Sequence, residues 1–394
     1  MLILDRVEQF IERCTNDVAA GRDEDELDRL ALAVFAHQYE HVHLYRRFCE
    51  LRGVRPADVA HWTGIPAAPA DLFKEAGLAT SGGEPVATFL SSGTTQGSGR
   101  RSRHELGTRD LALYRKSALA QFRAMVLPDA PATMSTLVLA PRRATHPMSS
   151  LGHMFDFVVE SISQPSANEG DVYFDSEGRL DAGGAVGWLE AAAAGTQPVL
   201  ILSVSATITA VLEALRSRGT PLRLPADSRL VHTGGSKGGR TMSRAGILKG
   251  AWRFLHIPAY HCVEEYGMTE LLSQFYDDVL RNRWSGRLAK RAKTGPPWTR
   301  TSVVDPATLA PAGRGERGIL RHLDLANCST VSMVQTLDLG VEQGDGFEVL
   351  GRATGADMRG CSQLMSGLAE SISGHAPAAL DERSGQPDGS DEGS

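Results

Sequence analysis

Four stretches of this 394-residue chain carry residue types that could do chemistry. In the first, Ser91-Ser92-Gly93-Thr94-Thr95-Gln96-Gly97-Ser98-Gly99-Arg100-Arg101, small hydroxyl residues interleave with glycines, and Arg100, Arg101 and Arg103 close the run. Backbone N–H groups, hydroxyl donors and positive charge together suit a chain of phosphates. The run is not a Walker A loop, because GxxxxGK[ST] is absent, and no GxGxxG follows a strand. Taken alone, a flexible Ser/Gly surface loop accounts for it equally well. The second stretch, His232-Thr233-Gly234-Gly235-Ser236-Lys237-Gly238-Gly239, follows a short apolar run and satisfies G-x-S-x-G. A serine hydrolase built on Ser236 is therefore one reading, with Asp324 or Asp338 and His375 as triad partners. However, His375 lies in the tail, and GGSKGG reads more naturally as backbone that approaches a ligand closely. The third, Glu264-Glu265-Tyr266-Gly267-Met268-Thr269-Glu270, offers a stacking face, a close backbone approach, a hydroxyl donor and a carboxylate able to ligate magnesium. Its plainer reading is a loop-to-helix boundary capped by Thr269. The fourth is Thr336-Leu337-Asp338-Leu339-Gly340, followed by Gly351-Arg352. A carboxylate can accept both hydroxyls of a ribose and an arginine can add a contact to sugar or phosphate, whereas singly the two would form a surface pair.

The elements that must position these stretches alternate. Residues 1–54 are helical in pattern and predict an N-terminal helical cap. GIPAAPADLFKEAGL is expected to run extended over a surface, before a turn at Ser81-Gly82-Gly83 and a strand ending in Phe89-Leu90. A polar loop over 91–103 precedes an amphipathic helix around 108–126 and a strand at Ser135–Leu139. A second cycle follows, with PVLILSVS as an apolar strand, ATITAVLEALRSRG as a helix ending in Gly219, and a short strand at Leu230-Val231. From 301 to 350 the texture changes to short strands and turns. Buried strands separated by helices imply an α/β fold with a largely parallel sheet. The net charge of −6 argues against a dedicated polyanion binder, hence against nucleic acid, and the last fourteen residues account for most of it. The last twenty residues are too poor in apolar side chains to fold and are expected to be disordered. No signal peptide or membrane span is evident, so a cytoplasmic location is expected. The five cysteines are scattered singly, which predicts reduced thiols without zinc.

In this order, SSGTT, TGGSKG, EYGMTE and TLDLG followed by GR resemble the nucleotide-binding motifs of the adenylate-forming superfamily of acyl-CoA synthetases and peptide-synthetase adenylation domains. The resemblance spans about residues 60–361, and EYGMTE is its most specific piece. Within the superfamily the chain most resembles acyl-protein synthetases of the LuxE type and their phenylacetate-CoA ligase relatives, through its short length, PADLFK, HTGGSKG and the late RGC. The resemblance implies ATP and Mg2+ as cofactors, a carboxylic acid substrate (a fatty acid foremost) and an acyl-adenylate intermediate. It implies that Ser91, Ser92, Gly93, Thr94 and Thr95 hold the ATP phosphates and that Gly234, Gly235, Ser236 and Lys237 line the adenine and acyl side. Tyr266, beside Gly267, would pack on adenine, Thr269 would reach the α-phosphate, Glu270 would help hold magnesium, and Asp338 would bind the ribose with Arg352 close by.

Two departures stand out. The usual SGTTG-Pro-Lys-Gly continuation here reads QGSGRR, and only 42 residues follow Arg352, with no lysine after Lys293. The expected architecture is thus the large domain of the adenylate-forming fold, layered α/β sheets plus a short β-rich part, without the usual small C-terminal domain. It divides into a helical cap and lead-in (1–80), a core (81–360) and an acidic tail (361–394). Lys237 or an arginine of residues 100–103 would then neutralise the α-phosphate. Cys361 matches by position the cysteine that LuxE-type synthetases use as a covalent acyl carrier; its plainer reading is an inert small residue. Cys262 is expected to pack beside the site, and Cys14, Cys49 and Cys328 in the core. His146 and His153 could line an acyl pocket. The acceptor implied is a thiol: Cys361, coenzyme A, an acyl carrier or a reductase-type protein partner. The alternatives are a CoA or carrier-protein ligase that does not use Cys361, the hydrolase on Ser236, and a non-catalytic nucleotide-binding protein.

Overall fold

The computed structural model describes residues 2–17, 23–75, 77–80, 83–91, 101–162, 173–174, 179–234 and 241–353. The helical cap consists of α1 (Ile3–Asn16), α2 (Glu24–His41) and α3 (His43–Leu51). Val7, Phe10, Ile11 and Cys14 recur every three or four residues on α1 and are buried, which is the helical spacing of a single apolar stripe. Asp23 caps α2 by accepting from Glu26 N. The Pro/Ala segment departs from the extended surface path expected of it. Ala68–Pro69 forms a short strand, β1, and Ala70–Lys74 winds into a 3-10 turn that buries Leu72 and Phe73, because two large apolar side chains repay the turn.

β2 (Ala87–Leu90) and β3 (Arg103–Leu106) pair as a separate antiparallel hairpin, so Arg103, expected in the polar loop, already belongs to a strand. Next come α4 (Thr108–Val126) and β4 (Ser135–Leu139), as expected, and then α5 (Ser150–Ile162) and α6 (Ala182–Ala193), which the apolar pattern did not disclose. β5 (Val199–Val204) leads into α7 (Ser205–Arg218), which Gly219 closes at φ 75°, the left-handed cap conformation that glycine favours. β6 (Arg229–Thr233), α8 (Arg244–Gly250), β7 (Cys262–Tyr266), β8 (Phe275–Asp277), α9 (Val279–Trp284) and β9 (Lys293–Thr294) follow. The chain continues with β10 (Thr299–Val304), β11 (Gly318–Asp324), β12 (Met333–Gln343) and β13 (Gly346–Arg352). These last strands are longer than the short ones expected, β12 reaching 11 residues.

Among the described residues, eleven strands form one sheet in the order β10-β11-β12-β13-β9-β8-β7-β6-β5-β4, with β1 beside the first half of β12. The β-rich part is therefore continuous with the parallel part rather than a layer apart. β4 to β7 are parallel, and the turn to antiparallel pairing comes at β8. Leu200 and Leu202 of β5 pack into one core with the N-terminal helices and α4 and α5, while Val199 and Ile201 pack into another under α6, α7 and α8. Helices on both faces explain why this strand is apolar throughout. Cys14, Cys49, Cys262 and Cys328 are buried free thiols. No helix among the described residues is long and apolar enough to cross a membrane.

Candidate active site

β6 and β7 end side by side, with Thr233 opposite Glu265 in the register, and the second and third motifs leave from their C-terminal ends. Gly234 adopts φ +86°, which admits glycine readily, and its carbonyl accepts a 2.6 Å hydrogen bond from the Ser205 hydroxyl at the start of α7. The Thr233 hydroxyl donates to the Glu265 carboxylate. Burial pushes Glu265 up to about 7, against the pull of Thr233 and of Lys293. A Cβ at Gly267 would lie 2.4 Å from Glu265 Oε1, so any larger residue there would have to displace that carboxylate.

Tyr266 points across the sheet to the fourth motif. Its hydroxyl donates to Asp338 Oδ2 at 2.8 Å, and its ring packs against Phe275, His322 and Phe347 with centroids 5.7–6.0 Å away. Burial and the facing carboxylate hold the phenol well above its usual range, so it remains a donor. Asp338 stands opposite Arg352 in the β12–β13 ladder, and Arg352 Nε lies 3.5 Å from Asp338 Oδ1. Glu270 is buried close by; burial raises its carboxyl above the ordinary value, a hydrogen bond from Ser102 and the charge of Arg352 oppose this, and Asp338 adds to it. Tyr266 and Glu270 of the third motif and Asp338 and Arg352 of the fourth thus share one neighbourhood.

The backbone of the third motif and of the residues after it is held by His104 and Asn327, which sequence reasoning did not select as site residues, and by Asp324, which it considered only as a triad acid. His104 on β3 donates from Nδ1 to the Thr269 carbonyl at 2.9 Å and accepts from the Thr330 hydroxyl at Nε2, 3.1 Å away. Burial lowers its pKa to about 4, so the ring is neutral, as this donor–acceptor pattern requires. Asn327 Nδ2 donates to the Glu270 carbonyl at 2.7 Å, and its Oδ1 accepts from Leu272 N. Asp324 accepts from Leu272 N, Ser273 N, the Ser273 hydroxyl and Ala326 N. With Asp324 committed to four donors and Asp338 to Tyr266 and Arg352, neither serves as the orienting acid of a hydrolase triad.

Ser91 and Ser102 close the mouth of the first motif: Ser91 N donates to the Ser102 carbonyl and Ser102 N to Ser91 Oγ, each at 3.0 Å. The Ser91 hydroxyl keeps its proton to donate. Arg101 bonds the Leu90 and Ser91 carbonyls, and Arg103 pairs with Glu105 at 2.5 Å. Lys293 is buried on Asp277 and Glu264, at 3.0 and 3.1 Å, and does not face the motif loops as a free cation. His153 is buried against Phe89, with ring centroids 5.0 Å apart, whereas His146 is exposed. Ser92, Gly93, Thr94, Thr95, Gly235, Ser236, Lys237, His375 and Cys361 lie outside the described residues, as does the acidic tail.

The family model described as acyl-protein synthetase, LuxE, matches residues 17–369. A Vibrio harveyi protein, long-chain-fatty-acid–luciferin-component ligase, is 32% identical over 78 residues, which cover 18% of this chain and 21% of that protein. Two solved structures of 2-hydroxyisobutyryl-CoA ligase superpose on the chain. The first is an open conformation with 2-HIB-AMP and CoA, with TM-score 0.57, 15% identity and coverage of 83% of this chain and 75% of that one. The second is a postadenylation state with 2-HIB-AMP, with TM-score 0.58, 15% identity and coverage of 82% and 67%. At such identity the likeness is one of fold, that of an adenylate-forming ligase. With the family model matching nine-tenths of its length, the chain belongs to the acyl-protein synthetase family, LuxE.

Proposed function

We propose that this protein is an AMP-forming acid ligase: it activates a carboxylic acid with ATP and passes the acyl group to a thiol. A carboxylate oxygen attacks the α-phosphorus, the bond to the bridging oxygen breaks, and pyrophosphate leaves. A thiolate then attacks the acyl carbon and AMP departs. The observation that carries the reading is the convergence of Tyr266, Glu270, Asp338 and Arg352 beside the loops that follow β2 and β6. In this reading Asp338 accepts the ribose hydroxyls, Arg352 sits over sugar or phosphate, and Tyr266 fixes the carboxylate while presenting its ring edge to the base. Thr269 donates to the α-phosphate. The hydroxyls of Ser91, Ser92, Thr94 and Thr95 and the amide of Gly93 line the phosphate chain, and Lys237 or Arg100 supplies the positive charge, since Arg101 and Arg103 are engaged elsewhere.

The donor set suits magnesium, a hard cation that takes one or two carboxylates and completes its shell with phosphate and water. Glu270 would hold it, and the ion would offset charge on the phosphates. Fatty acid specificity takes its support from the name of the Vibrio harveyi relative, a long-chain-fatty-acid ligase, and Cys361 as acyl carrier from its place after the last motif. A reaction that needs ATP and a reduced thiol belongs in the cytoplasm, in keeping with four buried free cysteines.

The test is pyrophosphate–ATP exchange across a panel of fatty and aromatic acids. Exchange with fatty acids is expected, and Cys361→Ala should keep it while losing stable acylation of the protein. Thioester labelling retained in that variant removes the carrier role and points to coenzyme A or a carrier protein as acceptor. Silence of the folded protein with every acid would overturn the ligase reading.

A further inference from the structure

The end of the sheet away from the motif loops has a different surface. From Thr241 to Val263 and from Val279 to Val304 the chain contains no Asp or Glu, yet it holds three and seven Lys or Arg residues respectively. Some of these turn inward or pair: Arg291 and Lys293 bind Asp277, and Arg287 binds Asp345 at 2.7 Å. Lys249, Arg253, Arg283 and Lys290 have no carboxylate partner among the described residues. Between them stand large apolar groups in water: Trp252 is 57% exposed, Trp284 64% and Leu288 99%.

These groups share one end of the molecule. α8 runs back from the C-terminal end of β6 to the turn Ala251–Leu255 that carries Trp252, and the turn Ala259–His261 immediately precedes β7. β8 runs antiparallel to β7 and delivers the chain to α9 at that same end. The Arg283 guanidinium lies 5.2 Å over the Tyr260 ring, and Arg291 donates to the Ala259 carbonyl at 2.8 Å, which ties α9 and the turn after it to the start of β7.

A protein partner takes up aromatic anchors in pockets fitted to them, whereas here the exposed apolar groups alternate with cations, Leu288 standing almost fully in water in the irregular stretch between Arg287 and Lys290. A bilayer interface accepts such a surface: Trp and Leu enter the headgroup region, and cations pair with anionic headgroups. We infer that this end of the protein docks on an anionic phospholipid surface, leaving the motif loops on the far side. The inference stands apart from the acid-ligase reading.

The full chain is to be sedimented with vesicles of phosphatidylcholine alone and of phosphatidylcholine and phosphatidylglycerol in equal parts. Binding to the anionic vesicles only is expected, weakened by salt and accompanied by a blue shift of tryptophan emission. Lys290→Glu should lower the partition at least about fivefold, as each cation near such a surface contributes. Leu288→Ser should lower it severalfold, and neither should alter the far-ultraviolet spectrum or the melting temperature. Three results would each overturn the inference: folded wild-type protein that stays in solution with both vesicles, undiminished sedimentation of both variants, or a dimer in solution that Leu288→Ser splits, which would assign the patch to a second copy of the chain.

Discussion

In the parallel half of the sheet the buried strand residues are mostly apolar, Val199 to Leu202, Leu230, Val231, Cys262 and Val263, with Ser203, Arg229 and His232 as polar members, whereas the antiparallel half buries His322, Asp324, Gln335 and Thr336 beside its apolar residues. The first half is held by burial on both faces and sets the strand ends from which two glycine-rich motifs depart. The second is held in large part by named hydrogen bonds, and it supplies Asp338, Arg352 and the Asp324–Asn327 corner that grips the third motif. Apolar packing tolerates small changes of shape, whereas a polar lattice loses an unsatisfied donor or acceptor outright when one member goes. The difference teaches that stability and chemistry draw on separate parts of one continuous sheet.

Substitutions can break that division or sharpen it. Asp338→Ala should have the largest effect, cutting pyrophosphate exchange by about two to three orders of magnitude, or ~3–4 kcal/mol, and lowering the melting temperature because the Tyr266 hydroxyl loses its acceptor. Normal exchange in this variant would mean that the polar half does not carry the chemistry.

Among the polar groups of the parallel strands, Glu265 sharpens the contrast most, a carboxyl buried at the end of β7. Its folded-state value of about 7 lies above the ordinary 4.5, so the folded protein binds this proton more tightly than the unfolded chain. Stability from this group is full below the ordinary value and is lost as pH rises from there to about 7, by about 3 kcal/mol. Glu265→Gln, which keeps an acceptor for Thr233, should remove that decline from the pH dependence of urea unfolding. An unchanged slope would place the charge of Glu265 elsewhere than in the fold.

The smallest effect is expected of Ile201→Val, about 1 kcal/mol of stability with KM and kcat unaltered. A shifted KM would show that the parallel core reaches the site.

Much of the parallel half was legible in the sequence, because double-sided burial writes an apolar run such as VLILSV and a helix stop such as Gly219 marks its own end. The meeting of Tyr266, Glu270, Asp338 and Arg352 follows the order of motifs, which carries more information than any of them singly. Ser102, His104 and Asn327 were not legible as site residues. Each acts on a backbone carbonyl or a side chain 57 or more positions distant, and buried polar residues have no periodicity to betray them. Nor did composition disclose that Ala70–Lys74 would coil, since proline and alanine announce a turn and an extended path alike, and the burial of Leu72 and Phe73 decides between them.

The β2–β3 hairpin has a mechanical consequence. Its mouth is pinned by Ser91 and Ser102, its second strand grips Thr269 through His104, and Ser102 reaches Glu270. Any displacement of β3 is therefore transmitted to the carboxylate of the third motif, and hairpin and motif behave as the jaws of one clamp rather than as independent fingers. A bound triphosphate drawing on one jaw would tighten the other.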